Sequence, residues 1–216
     1  MLKISNDLPK TLIETFNDKK SLFFRKGSVI FLENEPAAGV YFIKDGKVKI
    51  VKSGAESENK ILLFAGNGDF LGLHSIINGH NYSNSAIAIE ETEACFIDKE
   101  EFLKTISSDI NNKMMVMKLL CNKIDKIENQ MQSINDKSAS GRLAESLLFL
   151  LETYGVKNDN FVNISLSAED LANLTGTSKS YLIKIISEFN NNNWIYMNGS
   201  DIKIIDKEKL KEISGL

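Results

Sequence analysis

A change of hydrophobic period divides this 216-residue chain into regions that cannot share one architecture. Between Leu22 and Ile97, apolar residues recur mostly at every second position, in the runs SVIFLE, GVYFIK, GKVKIVK, KILLFA, AIAIEE and ACFID. Successive side chains of a strand point to opposite faces, so this spacing predicts short strands with one face buried. Glycines at 27, 39, 46, 54, 66, 68, 72 and 79 punctuate the runs and supply the positive φ that tight turns need. Strands this short, with turns this frequent, predict an antiparallel β-roll of jelly-roll type over residues 1–107, preceded by a short helix around Lys10–Asn17.

From about Lys99 the period lengthens. Ile110, Met114, Met117, Cys121, Ile124, Glu128, Met131 and Asn135 step by four and three alternately, which is a heptad seam. Ile127 and Ile134 lie beside the polar members, as the drift of a 3.6-residue helix against a 3.5-residue repeat requires. A helix of about 25 residues is ~38 Å long, more than one small β-domain needs as cover. Two readings follow. In the preferred one, residues 108–136 form a dimerisation helix that pairs with its copy in a homodimer through Ile110, Met114, Met117, Cys121, Ile124 and Met131, polar seam members fixing the register. In the other, an amphipathic helix packs on its own β-roll. Cys95 and Cys121 are the only cysteines, too few for a disulfide framework or a four-thiolate cluster, and both read as buried thiols.

The small polar stretch INDKSAS suits a hinge, and residues 137–216 are assigned to a second domain, giving an α+β chain overall. Ser167 predicts an N-cap with Asp170 as its capping-box acid, before a short apolar face of Leu171, Ala172 and Leu174. Gly176 ends that helix and Ser178 caps the next, whose apolar face is Leu182, Ile185, Ile186 and Phe189. Two short helices joined in this way predict a helix-turn-helix. Trp194–Met197, the Asn198-Gly199 turn and Ile202–Ile205 predict a two-stranded wing. Thr177, Ser178, Lys179, Ser180, Tyr181 and Lys184 are the candidate contacts to double-stranded DNA, being polar or short around the start of the second helix. The plainer reading is a helical hairpin with a β-hairpin attached, though a solvated helix more often alternates Glu with Lys.

Charge opposes nucleic-acid binding mildly. The net charge is −3, and from Gly141 onward eight bases face ten acids. The positive field must then come from clustering of Lys179 and Lys184, doubled in a dimer, with a shallow salt dependence.

The order of β-roll, long helix, hinge and winged helix-turn-helix resembles the Crp/Fnr family of bacterial transcription regulators over roughly residues 20–205. The matching stretches are FFRKGSVIFLENEPAAGVYFIKDGKVKI, GNGDFLG, GRLAESLLFLL and AEDLANLTGTSKSYLIKIISEF. The resemblance implies a homodimer joined through the long helix, a signal-sensing cup, a two-fold DNA site, and recruitment or blocking of RNA polymerase. Where family members often carry Arg-Glu and a later Arg, this chain has Lys179, Ser180 and Lys184. Its target is therefore expected to differ from that of the cyclic AMP members, since lysine lacks the planar fork that reads guanine well.

The cup departs from the family pattern as well. Gly72, Leu73 or His74 stands where the cyclic-nucleotide members place a ribose-binding Glu, and Tyr82-Ser83 where they place a phosphate-binding Arg-Ser pair. A buried phosphate needs a cation or strong donors, so cyclic AMP or GMP is not the expected effector. A neutral, apolar or peptide-like effector in this cup, or no effector and control by abundance, are the two regulator readings. His74 and His80 without a third ligand do not make a metal or haem site, so no cofactor is expected. A metal-cupin enzyme would need several clustered ligands, and no Ser-His-Asp or Cys-His set is evident; the chain is expected not to be an enzyme. An interaction protein without DNA specificity is the third reading. No apolar run approaches the ~20 residues of a membrane span, and no signal peptide is apparent, so a cytoplasmic protein is expected.

Overall fold

The computed structural model describes Phe16, residues 19–53 and residues 59–215. The helix expected at Lys10–Asn17 lies outside the described residues apart from Phe16, which is helical. The chain divides into two compact units, Leu2–Asp125 and Lys126–Leu216.

The first unit contains β1 (Ser21–Phe24), β2 (Val29–Phe31), β3 (Gly39–Asp45), β4 (Val48–Ser53), β5 (Asn59–Ala65), β6 (Phe70–Leu71), α1 (Leu73–Asn78), β7 (Ser85–Ala88), β8 (Thr92–Asp98) and α2 (Lys99–Ser108). The strands form two antiparallel four-stranded sheets, ordered β1-β8-β3-β6 and β2-β7-β4-β5. Period-two patterning gives each sheet one apolar face, and the two inner faces close on Ile30, Phe31, Ile43, Val48, Ile50, Leu71, Tyr82 and Ala86. The opposite face of the first sheet is apolar too. Val40, Cys95 and Ile97 pack there against Phe16, Ile76, Phe102, Ile106, Met115 and Val116. Each such side chain withdrawn from water contributes about 1.5–3 kcal/mol before entropy is charged. At Gly39 the crossing is so close that a Cβ would stand 2.2 Å from the Ile97 carbonyl oxygen.

A long helix, α3 (Ile110–Asp136), follows α2. Its first turns bury Asn112, Met115 and Val116, and Leu119 and Leu120 pack partly against the same core. Those positions are spaced by three and four and form a stripe distinct from the heptad seam. The helix does pack on its own β-roll, but through a face the seam leaves free.

In the second unit α4 (Ala139–Tyr154), α5 (Ala168–Thr175), α6 (Lys179–Asn191), β9 (Ile195–Asn198), β10 (Asp201–Ile204) and α7 (Lys207–Ser214) enclose Leu143, Leu147, Leu150, Ile164, Leu166, Leu182 and Phe189. The stretch read as a hinge is largely helical: Ile134 to Asp136 continue α3, and only Lys137 and Ser138 separate it from α4, which Ser138 caps. Gly141 lies against α7, where a Cβ would meet the Ile213 carbonyl oxygen at 3.1 Å. No described helix is long and apolar enough to cross a membrane.

Candidate nucleic-acid interface and effector cup

The turn between α5 and α6 is fixed at each end by its own sequence. Ser167 accepts the Asp170 N–H while the Asp170 carboxylate accepts the Ser167 N–H, a closed capping box. Gly176, at φ 60° and ψ 42°, ends α5 in the left-handed region. Ser178 then caps α6 by accepting the Tyr181 N–H. α6 turns Leu182, Ile185, Ile186 and Phe189 inward against Leu171, Ala172 and Thr175. Thr175, not Leu174, completes the buried face of α5, because its hydroxyl is satisfied at 2.8 Å by the Leu171 carbonyl while Leu174 is half-buried. In the wing, Asn198 pairs with Asp201, so the two-residue turn is Gly199-Ser200, one position later than expected, with Gly199 at φ 62°.

The outward side of α6 carries Ser178, Lys179, Ser180, Tyr181 and Lys184, all exposed, with Thr177 half-buried at the turn. Three exposed residues of this side are not among the candidates: Ile183, Ser187 and Glu188. A search restricted to polar residues near the helix start passes over all three. Lys179 lies 3.7 Å from Glu169, an exposed pair of small energetic weight.

The other bases of this unit divide by role. Lys157 pairs with Asp201, Lys209 with Glu212 and Lys211 with Glu208. Arg142, one of only two arginines in the chain, donates to the carbonyls of Thr175 at 2.7 Å and Lys137 at 2.7 Å, and to that of Gly176 at 3.4 Å. It holds the C-terminal carbonyls of α5, where the helix dipole favours a cation, and so anchors the turn itself. Arg142→Ala is expected to lower the unfolding free energy by roughly 2–4 kcal/mol, since it strands several carbonyls. Arg142→Lys should recover less than half of that in a urea melt, because an ammonium lacks the planar fork.

In the β-roll, Tyr82 is only 3% exposed and its ring lies among the residues between the two sheets. It stacks on Phe31 with centroids 4.0 Å apart and planes inclined by 18°. Its hydroxyl donates to the Gly39 carbonyl at 2.8 Å and accepts the Gly39 N–H at 3.3 Å. Its backbone is paired as well: the Tyr82 N–H donates to the Glu35 carbonyl, and the Asn34 N–H donates to the Tyr82 carbonyl. Burial pushes the Tyr82 phenol above its ordinary range. Gly72, at φ 79°, lies against the ring, and a Cβ there would stand 2.7 Å from it.

The other cup candidates scatter. Leu73 is buried in the core on the far face of the first sheet. His74 is exposed on α1 and hydrogen-bonds Asn78 at 2.9 Å, so it does not share the site of Tyr82 and Gly72. Ser83 is half-buried with its N–H donated to the Ser75 hydroxyl. Its carbonyl accepts from Lys52, which also pairs with Glu33 at 3.1 Å. The Asn81 amide, the Tyr82 hydroxyl and N–H and the Ser83 N–H are thus committed to the protein. Among the described residues no three His, Cys, Asp or Glu side chains are placed to hold a metal ion.

Along α3 the seam residues Ile110, Met114, Met117, Cys121 and Ile124 are all exposed, Met117 at 57% and Ile124 at 54%. Cys95 is buried, and burial pushes its thiol pKa up, but Cys121 is exposed, contrary to the expectation for both thiols. The side chain of Met131 lies outside the described residues.

Comparison with known proteins accounts for both units. A cyclic nucleotide-binding domain family matches residues 21–109, and the Crp-like helix-turn-helix domain family matches residues 141–213. The CRP-like cAMP-activated global transcriptional regulator of Mycobacterium tuberculosis is 26% identical over 189 residues, 87% of this chain and 84% of that protein. The fumarate and nitrate reduction regulatory protein of Vibrio cholerae is 23% identical, over 89% of this chain and 77% of that protein. FixK2 from Bradyrhizobium japonicum has the same fold, with a TM-score of 0.78 over 90% of this chain and 96% of its own at 21% identity. A Crp/Fnr regulator from Eubacterium rectale superposes with a TM-score of 0.77 over 99% of this chain and 98% of its own at 18% identity. With a β-roll, a capped helix-turn-helix and a wing in the matching order, this chain belongs to the Crp/Fnr family of transcription regulators, and its C-terminal unit is a DNA-binding domain.

Proposed function

We propose that the protein is a cytoplasmic, non-catalytic regulator that binds a two-fold DNA site as a homodimer and does not respond to cyclic AMP. The observation that carries the last point is Tyr82. Its ring occupies the space between the sheets, its hydroxyl is satisfied twice by Gly39, and no arginine stands near it in the sequence. The same filled space favours control by abundance over control by a small molecule in this cup. Selection of bound genomic fragments, with and without cyclic AMP or a metabolite extract, tests this. A symmetric site recovered equally in both conditions is expected; recovery only with cyclic AMP would overturn the reading. RNA polymerase is the partner such a regulator recruits or blocks, and a metal bound by the purified protein would favour the cupin-type alternative.

The exposed seam of α3 supports the dimer. In a parallel pair Cys121 faces its own copy across the seam, so mild oxidation should yield a covalent dimer on a non-reducing gel. Cys121→Ser should abolish the cross-link, and Cys95→Ser should not. A wild-type chain that stays monomeric and uncross-linked would exclude this pairing.

Salt dependence is a further check. If Lys179, Lys184, Lys203 and Lys207 of each protomer all meet phosphates, the slope of log affinity against log salt is no steeper than about −7. A steeper slope would mean that cations beyond these four reach the DNA.

A further inference from the structure

Direct reading of DNA needs particular side chains. Arg or Lys recognises guanine, Asn or Gln adenine, Asp or Glu cytosine, Ser or Thr more than one base, and an apolar group the thymine methyl. The first two turns of α6, KSYLIKII, contain no Arg, Asn, Gln, Asp or Glu. Leu182, Ile185 and Ile186 are spent on the core. Ser180 shares a hydrogen bond with Ser178, and Lys179 leans toward Glu169. One turn further on, Ser187 donates its hydroxyl to the Ile183 carbonyl at 2.9 Å. Lys184, and Lys179 where it leaves its weak pair with Glu169, are the guanine readers this helix offers, and an apolar contact, from Ile183 or the ring of Tyr181, can read a further base identity.

Ile183 is placed to make that contact. It is 47% exposed, beside Lys184 and within one helical turn of Ser180 and Ser187. Its β-branch lowers helix propensity, and its side chain is left about half outside the core. We infer that Ile183 is a specificity-determining residue that reads the C5-methyl of one thymine in each half-site, beside the base pair contacted by Lys184. The inference rests on α6 entering the major groove, as the DNA-binding reading requires.

The test uses the full-length protein and a duplex recovered by fragment selection. Thymines are replaced one at a time by deoxyuridine, which removes the methyl and keeps base pairing. Loss of one methyl contact should weaken binding about fourfold, and loss of both symmetry-related contacts about 15-fold. Only one thymine per half-site should show this sensitivity. Ile183→Ala should bind the thymine and deoxyuridine duplexes equally, while Ile183→Val should keep most of the difference. The exposed position leaves the fold intact, which an unchanged melting temperature will verify. Sequence-specific binding with no deoxyuridine-sensitive position, or a sensitivity that survives in Ile183→Ala, would overturn the inference and leave DNA binding standing. Failure to bind any sequence specifically would overturn both.

Discussion

Replacing Met117 and Ile124 together by glutamate is expected to make the protein monomeric and to weaken binding to its two-fold site by a factor of 10² to 10⁴. The two side chains lie on the stripe of α3 that the β-roll leaves uncovered, and both are more than half exposed in the isolated chain. In a paired helix each would gain about 1.5–3 kcal/mol from burial. Glutamate removes that gain from four positions per dimer and sets four carboxylates along one seam, where they repel and resist desolvation. The fold should survive, because Asn112, Met115 and Val116 hold α3 to the β-roll from another face. Each monomer should retain half-site binding. What it loses is the intramolecular second contact, whose effective concentration accounts for the expected factor. Sedimentation and a DNA titration on one sample separate the effects. A variant that stays dimeric would show that the seam is not the interface. A monomer with undiminished affinity would show that the dimer is not how the site is read.

How well the sequence discloses this molecule depends on whether a feature is local. The capping box at Ser167–Asp170, the left-handed Gly176 and the Ser178 cap are legible because each involves residues three or four apart. The two stripes of α3 are legible only as one. Heptad spacing marks Ile110, Met114 and Met117, whereas Met115 and Val116 look like their neighbours until the second stripe finds the core of the β-roll. Arg142 enters the sequence reading only as one of eight bases, because composition cannot show that its guanidinium is taken by carbonyls 33 and 34 residues away. Hydropathy ranks leucine first and so puts Leu174 in the core ahead of Thr175. The Thr175 hydroxyl loses that disadvantage once the helix supplies an acceptor one turn back. Ile183 is hidden in the sequence for the opposite reason: an apolar residue in a helix reads as core until the packing shows it facing outward.

Tyr82→Ala is expected to lower the unfolding free energy by about 3–5 kcal/mol, a large part of the 5–15 kcal/mol typical of a domain. The substitution removes the ring from its stack on Phe31 and leaves the N–H and carbonyl of buried Gly39 without the phenol. Tyr82→Phe keeps the stack and loses only the hydroxyl, so it should cost about 1–3 kcal/mol. The phenol also predicts a pH dependence with a definite sign. Burial raises its pKa in the folded protein above the ordinary 10.0. The stability it contributes is therefore present below pH 10 and is lost as pH rises through the folded value. Tyr82→Phe should weaken that alkaline loss, with Tyr41 and Cys95, whose pKa values burial also raises, sustaining the remainder. The Tyr82→Ala cavity gives the sharper test of what the space can hold. Phenol at a hundred times its dissociation constant should restore about 2.7 kcal/mol, whereas cyclic AMP should restore none. Tyr82→Arg should not create tight cyclic AMP binding either. It supplies a cation, but Gly72 carries no side chain, Leu73 is buried elsewhere and His74 faces solvent, so no carboxylate meets the ribose. Calorimetry showing tight cyclic AMP binding by the unaltered protein would overturn the reading of Tyr82 as the residue that fills this cup.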